Sequence, residues 1–229
     1  MENLNILGRG VINGGTYDKI KINGSAKVSS NVVAKSISVN GSANFQDSIF
    51  CESLKCNGAV NCEKDFKGVS TDVSGSLNIN SDIICDDVSV TGALNVLGYH
   101  KGKKLHVNGS AKFYADSTCE DFKVIGYALV KGEICAENVT IKTRKTDIEQ
   151  IHAENVEIKK SLSVTSYILK PAIKVNEIEC TNLTADHLIC KKLCATNVKI
   201  AKNCVIDYLE YSGEIEMDNT CKINELVKL

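Results

Sequence analysis

The nine residues from Ile20 to Val28 read IKINGSAKV, two short runs of alternating apolar residues on either side of Asn23-Gly24. Asn-Gly between such runs is a strong signal for a β-hairpin. Residues that face each other across a hairpin share one side of the sheet, so a hairpin here would split the apolar residues between both sides. In one extended chain, every second residue points to the same side. The stretch therefore predicts a single strand that bends inward at Gly24.

The same pattern recurs along the first half of the chain. Glycines follow one another at intervals of seventeen residues, at Gly24, Gly41, Gly58, Gly75, Gly92, Gly109 and Gly126. The residues two and four positions before and after each glycine are apolar, except at Thr71, and the residues between them are mostly polar. The chain is therefore a repeat protein whose strands bury one face and expose the other.

The length of the repeat decides the type of solenoid. Seventeen residues are too few for a helix pair, and alternating β-branched residues favour strands. Because seventeen is odd, each coil needs corners that reset the alternation of inward and outward residues. Val32, Ile49 and Ile83, which follow the bends, supply a further wall. We predict an all-β fold: a single-stranded, three-sided parallel β-helix with about 17 residues per coil.

Beyond Gly126 the glycines stop, but apolar pairs at positions i and i+2 continue every five or six residues. They include Val139/Ile141, Ile151/Ala153, Leu162/Val164, Ile173/Val175, Leu183/Ala185, Val198/Ile200, Ile215/Met217 and Cys221/Ile223. We predict a glycine-rich segment over residues 1–16 that folds over the first coil as a cap. A β-helix then spans residues 17–229, with regular coils over 17–130 and less regular coils over 131–229.

The composition indicates a cytoplasmic protein and argues against a metal or cofactor site. The first residues contain no signal-peptide pattern, and no eighteen consecutive residues are apolar, so we expect a cytoplasmic protein that does not span a membrane. Many of the eleven cysteines fall in inward columns, where a thiol acts as a small hydrophobe. No Cys-x-x-Cys pair suggests zinc. We predict neither metal nor cofactor. Cys56 and Cys62 are expected to be buried and unreactive, and Cys119 is expected to be easier to label because it lies outside the four apolar columns.

No catalytic pattern accompanies the four histidines, which are far apart in the sequence. The segment from His100 to His106, HKGKKLH, is interpreted as a solvated corner, and with a net charge of −1 no nucleic-acid partner is expected. A hexapeptide acyltransferase would need an eighteen-residue period, and a polysaccharide lyase would need a secretion signal and clustered aspartates. Pentapeptide-repeat proteins place their small residue before the large one, the reverse of Leu183/Ala185. We predict that the chain is not an enzyme.

The repeated units KIKINGSAKV (19–28), SISVNGSANF (36–45), LHVNGSAKF (105–113) and FKVIGYALV (122–130) resemble those of bactofilins, the polymer-forming cytoskeletal proteins of bacteria. The resemblance implies a right-handed β-helix that assembles end to end into nucleotide-independent filaments in the bacterial cytoplasm. It also implies other cytoskeletal or cell-envelope proteins as further partners. The chain is longer than a compact bactofilin core, and its first fifteen residues contain few apolar side chains, so membrane attachment is not expected.

The ends of a β-helix bear on its function, because the edge of the last coil presents unpaired N–H and C=O groups. The apolar residues of the C-terminal coil are the predicted self-association surface: Cys221, Ile223, Leu226, Val227 and Leu229. We expect a structural, self-polymerising cytoskeletal scaffold. The alternative that the sequence leaves open is a β-helical protein-binding scaffold that does not polymerise.

Overall fold

The computed structural model describes residues 2–161 and 172–229, and the pair predicted at Leu162 and Val164 lies outside these ranges. Within them the chain forms fourteen strands and no helix. The strands are β1 (Glu2–Ile12), β2 (Gly15–Val28), β3 (Val32–Phe45), β4 (Ile49–Cys62), β5 (Phe66–Ile79), β6 (Ile83–Val96), β7 (His100–Lys101), β8 (Lys104–Phe113), β9 (Ser117–Lys160), β10 (Ala172–Ala185), β11 (Leu188–Ile200), β12 (Val205–Tyr211), β13 (Ile215–Met217) and β14 (Lys222–Lys228).

The strands stack in sequence order as one parallel sheet wound into a β-solenoid of about 13 turns. From β2 to β9 each residue pairs with the residue seventeen positions further on, so that Gly24 pairs with Gly41 and Gly41 with Gly58. The predicted all-β parallel solenoid and its repeat of about 17 residues are confirmed.

The core is a continuous column of apolar side chains inside the coils. The four predicted columns around the glycines are all buried, from Ile20 and Ile22 in β2 to Ala128 and Val130 in β9. Thr71, the one polar residue in them, is also buried, and its Oγ1 lies 3.4 Å from Cys85 Sγ. Because each coil is covered above and below by its neighbours, stability comes from contacts between adjacent repeats.

The spacing between paired residues changes at four places without disturbing these columns. It is 16 residues from β1 to β2, 27 from β9 to β10, 15 from β10 to β11 and 16 from β11 to β12. Val156 still pairs with Leu183, Leu183 with Val198, and Val198 with Ile215. The changes in length therefore fall between the paired segments, and the inward positions stay aligned.

The N-terminal segment is not the loop that the sequence predicted. Residues 2–12 form β1, which pairs in parallel with β2 and places Leu4 beside Ile20 and Ile6 beside Ile22. The glycines suggested a loop, but the alternation of Leu4, Ile6, Gly10 and Ile12 is that of the repeats above it. The segment is one more layer of the solenoid.

The seven repeated glycines form a stacked column at a corner of the coil. Each has a φ between +127° and +139°, a conformation that favours glycine. A β-carbon built on any of the seven would lie 2.0–2.1 Å from the carbonyl oxygen of the glycine one coil below. The glycines are half-buried or exposed, so the expected inward orientation is wrong. What excludes a side chain here is the neighbouring backbone, not the core.

The asparagines before the glycines pair with each other from coil to coil. Asn40 Nδ2 donates to Asn23 Oδ1 at 2.9 Å, and Asn57 Nδ2 donates to Asn40 Oδ1 at 3.1 Å. A second ladder of the same kind joins Asn138, Asn155, Asn182 and Asn197. These amides link neighbouring coils along the outside of the solenoid.

Candidate self-association surfaces

Both ends of the solenoid present strand edges that have no partner within the described residues. At one end β1 pairs only with β2. At the other end β13 pairs only with β11, and β14 only with β12. Such edges expose rows of N–H and C=O groups to pairing with another chain. We call them the β1 end and the β14 end.

Core columns continue up to the β14 end and stop there uncovered. Ile223 pairs with Ile206, and Leu226 pairs with the fully buried Leu209. Leu226 is 48% exposed although it occupies a core position, because nothing lies above it among the described residues. Cys221 and Ile223 are half-buried against the same core. Three of the five predicted association residues therefore occupy the open top of the core.

The other two predicted residues lie elsewhere. Val227 pairs with Glu210 on the outer face, because side chains alternate along a strand and Leu226 already points inward. Leu229 follows β14 and is 75% exposed, and its backbone N–H bonds to the carbonyl of Tyr211 at 2.9 Å. The prediction from position alone placed Val227 on the end surface, whereas the structure places it on a side wall.

The β14 end also contains two apolar residues that the predicted association surface did not include, Ile215 and Met217. Ile215 and Met217 of β13 pair with Val198 and Ile200, both buried, and so also occupy core positions. Met217 is 51% exposed. Their apolar i, i+2 pattern is visible in the sequence. What the sequence lacked was the pairing register, which shows that β13 forms part of the same end as β14.

The β1 end has the matching arrangement. Leu4 and Ile6 are half-buried and pack on the core from below, and no described residue covers their other side. On the outer face of the same strand, Leu7 and Val11 are among the most exposed apolar side chains. The β1 end thus offers both an open strand edge and apolar side chains.

The side walls have a different character, because charges of opposite sign stack between coils. Lys35 Nζ lies 2.7 Å from Asp18, and Lys103 Nζ lies 2.9 Å from Asp86. The hydrogen bond with Asp18 raises the pKa of Lys35, and the same bond lowers the pKa of the carboxyl. These pairs are exposed and add little stability. Because lysines and aspartates alternate in this way, the column of side chains that contains these pairs has no continuous row of like charges among the described residues.

His100 is not part of a solvated corner, as the sequence suggested. Its side chain is buried in a core column, with Nδ1 2.9 Å from Ser117 Oγ and the ring 5.9 Å from that of Phe113. Burial lowers the pKa of His100 to about 4. His100 begins β7 in the position that Ile83 has in β6, so the register of the repeat was the signal that located it.

The thiols are mostly buried, and none is disulfide-bonded. Burial raises the pKa of Cys56 and Cys62 to about 11. Cys119, expected to be easier to label, is buried as well, and burial raises its pKa to about 12. It belongs to a column of small residues that also includes Gly102, two positions after His100. The exposed thiol is Cys135.

One lateral feature has the form of a binding groove. Tyr17, Val33, Phe50 and Val69 line a shallow apolar depression of about 410 Å³ across successive coils. Lys67 lies over the Phe50 ring, with Nζ 5.7 Å from the ring centroid. The groove is open to solvent and lies on the side wall of β2 to β5, so that it starts one layer from the β1 end.

Comparison of the chain with protein-family models, with curated proteins and with solved structures gave no match. Among the described residues no helix is present that could cross a lipid bilayer. The same residues contain no group of three or more histidine, cysteine or acidic side chains placed to hold a metal ion.

Proposed function

We propose that this protein is a structural scaffold that polymerises end to end. The observation that supports this best is that core columns reach both ends uncovered, with Leu4 and Ile6 at one end and Met217, Ile223 and Leu226 at the other. These side chains are of the type that the rest of the solenoid buries. Stacking a second chain on them would remove apolar surface from water and pair the open strand edges.

The proposed joint uses the same interactions as every internal layer of the solenoid. Apolar side chains stack in columns, and parallel strands exchange backbone hydrogen bonds. Neither interaction requires a nucleotide, so assembly is expected in its absence. The resemblance of the repeats to bactofilins supports a role in the bacterial cytoskeleton, in the cytoplasm, with cell-envelope or other cytoskeletal proteins as clients.

A second candidate is a protein-binding scaffold that does not polymerise. The groove lined by Val33, Phe50 and Val69 favours it, because an apolar depression on a side wall stays accessible in a single rod. In this alternative the ends have no binding role. The two functions differ in where a substitution abolishes activity, at the ends or on the wall.

The test compares charge substitutions at the end and on the wall. Leu226→Lys places an ammonium group in the proposed joint, where it would be desolvated without a partner, while in the single rod it still reaches water. We expect this variant to keep its β-type circular dichroism spectrum and to sediment as single chains. Asn44→Lys, on the outer face, is the matched control and should polymerise like the wild type. Loss of polymers in Asn44→Lys but not in Leu226→Lys would contradict the proposal.

A further inference from the structure

We propose that the β1 end of one chain docks on the β14 end of the next, so that all subunits of a filament point in the same direction. This inference rests on the proposed end-to-end assembly and adds the partner surface and the polarity. The partner is a second copy of this chain. Two core columns run from one end of the solenoid to the other.

The first column begins at Leu4 and ends at Ile215. Its members are Leu4, Ile20, Ile37, Leu54, Thr71, Val88, Leu105, Phe122, Val139, Val156, Leu183, Val198 and Ile215. Inside β9 the hydrogen bonds between side chains show which residues stack. Asn138 Nδ2 donates to Asp121 Oδ1 and Asn155 Nδ2 donates to Asn138 Oδ1, each across seventeen residues. The next residues along the chain, Phe122, Val139 and Val156, are therefore aligned in the same way. One inward position of β1 therefore lies in line with one inward position of β13.

The second column runs beside the first, from Ile6 to Met217. Its members are Ile6, Ile22, Val39, Cys56, Val73, Val90, Val107, Val124, Ile141, Ile158, Ala185, Ile200 and Met217. All members between the two ends are buried. Ile6 and Met217 are incompletely covered because each has a neighbour on one side only.

Placing β1 of a second chain on β13 of the first continues both columns. Leu4 then lies over Ile215 and Ile6 over Met217, as in any two successive coils. Both strands run in the same direction, so the parallel hydrogen-bond ladder of the solenoid continues through the joint. A joint between two identical ends has two-fold symmetry and reverses the strand direction, so it does not extend this ladder.

Charge also favours unlike ends. Glu214 and Glu216 are exposed on either side of Ile215, and Asp218 follows Met217. Glu216 is ion-paired with Lys199 of the coil below, whereas Glu214 and Asp218 form no ion pair among the described residues. Two β14 ends brought together would place these carboxylates near each other, which is unfavourable. On β1 the residues next to Leu4 are Asn3 and Asn5, which are neutral, and the two charged residues of the strand, Glu2 and Arg9, are of opposite sign. A β1 end, whose two charges cancel, is therefore a better partner for β13 than a second copy of β13.

A mixing experiment tests both the joint and its polarity. Met217→Lys blocks the β14 end, and Ile6→Lys blocks the β1 end, at positions that would face each other. If the joint is polar, every contact within a sample of either variant contains a lysine, and each variant alone should sediment as single chains. In an equimolar mixture the intact β1 end of Met217→Lys meets the intact β14 end of Ile6→Lys. The mixture should form a one-to-one dimer and nothing longer.

The other outcomes separate the inference from the proposed function. Homodimers of each variant alone, with no further change on mixing, would overturn the polarity and leave end-to-end assembly standing. Long polymers of both variants would overturn the end joint in favour of side-to-side contact. A wild type that stays a single rod at every concentration would overturn the proposed function and this inference together. Circular dichroism of each variant checks that it is folded.

A disulfide then tests the register within the mixed dimer. Asn5 would lie over Glu216 on the outer face, next to the two columns, and adjacent strands bring such residues within the Cα separation of a disulfide. Adding Asn5→Cys to the Met217→Lys chain and Glu216→Cys to the Ile6→Lys chain should link the two under mild oxidation. Peptide mapping identifies the bond among the native thiols. Glu225→Cys on β14 is the control that should not link to Asn5→Cys. A link to the control position instead would overturn the proposed register.

Discussion

Gly75 lies so close to Gly58 in the coil below that a β-carbon on Gly75 would be 2.0 Å from the Gly58 carbonyl oxygen. The same contact recurs between each pair of glycines in the column. It lets the corners of successive coils approach at the spacing of the strand ladder. The glycine period in the sequence therefore reflects a backbone contact between turns.

Replacing Gly75 with alanine should destabilise the protein strongly. The substitution combines the clash with Gly58 and a φ of +135° that side chains rarely adopt, and together these should cost at least about 3 kcal/mol. Gly8 is a matched control, because it occupies the same column at positive φ but a β-carbon there meets nothing within 4 Å. Gly8→Ala should cost about 1–2 kcal/mol. Urea unfolding of both variants measures the difference, and equal midpoints would contradict the backbone-contact explanation.

The buried His100 should make stability depend on pH. The unfolded chain takes up a proton near pH 6.5, whereas in the folded protein burial lowers the pKa of His100 to about 4. The unfolded state therefore binds more protons between these values, and the free energy of unfolding falls as the pH drops from about 6.5 to about 4. The difference between the two pKa values corresponds to a loss of about 3 kcal/mol.

The double variant His100→Phe/Ser117→Ala should remove this pH dependence. Phe66, Ile83 and His100 lie in one core column. Phe66 is followed two residues later by Gly68, just as His100 is followed by Gly102, so a phenylalanine fits this position of the coil. Changing Ser117 as well avoids leaving its hydroxyl unpaired in the core. Urea unfolding at pH 7 and pH 4.5 should show a smaller drop in the double variant than in the wild type. An identical drop in both proteins would exclude His100 as its source.

Much of the fold follows from the sequence, because side-chain alternation and a constant period are local properties of the chain. Both held for the columns around Gly24 to Gly126. The errors arose where pairing between coils decides the outcome. Residues 2–12 form a strand because β2 offers them an edge, and His100 and Cys119 are buried because the register aligns them with Ile83 and Cys85. The predicted association surface included Val227 and omitted Met217 for the same reason, since only the pairing register shows which residues of β13 and β14 point inward.

The thiols should react according to their position in the register. Cys135 is exposed and should be modified rapidly by maleimide in the native protein. Cys56, Cys62 and Cys119 should be protected, because they are buried and their raised pKa values leave little thiolate at neutral pH. Peptide mapping after brief labelling measures each site. If Cys119 were modified as fast as Cys135, its side chain would be accessible to solvent, and its assignment to a buried column would be wrong.

Completing the outer asparagine ladder should stabilise the protein. Ser74 and Thr91 interrupt the ladder between Asn57 and Asn108. Ser74→Asn together with Thr91→Asn would allow three new amide contacts between coils, worth on the order of 1 kcal/mol in total at this exposed position. The urea midpoint should rise. Ser38→Asn with Ser89→Asn, whose column neighbours are not asparagines, is the control and should not raise it.

The axial repeat of the assembled protein tests end-to-end polymerisation most directly. About 13 turns at a strand spacing of about 4.8 Å give each chain a length of about 60 Å. Electron cryomicroscopy of the purified protein, concentrated without nucleotide, should therefore reveal filaments one solenoid wide. Their subunit repeat should be near 60 Å, with the 4.8 Å ladder unbroken across each joint. Single rods at every concentration, or fibres in which the rods lie side by side, would contradict the account.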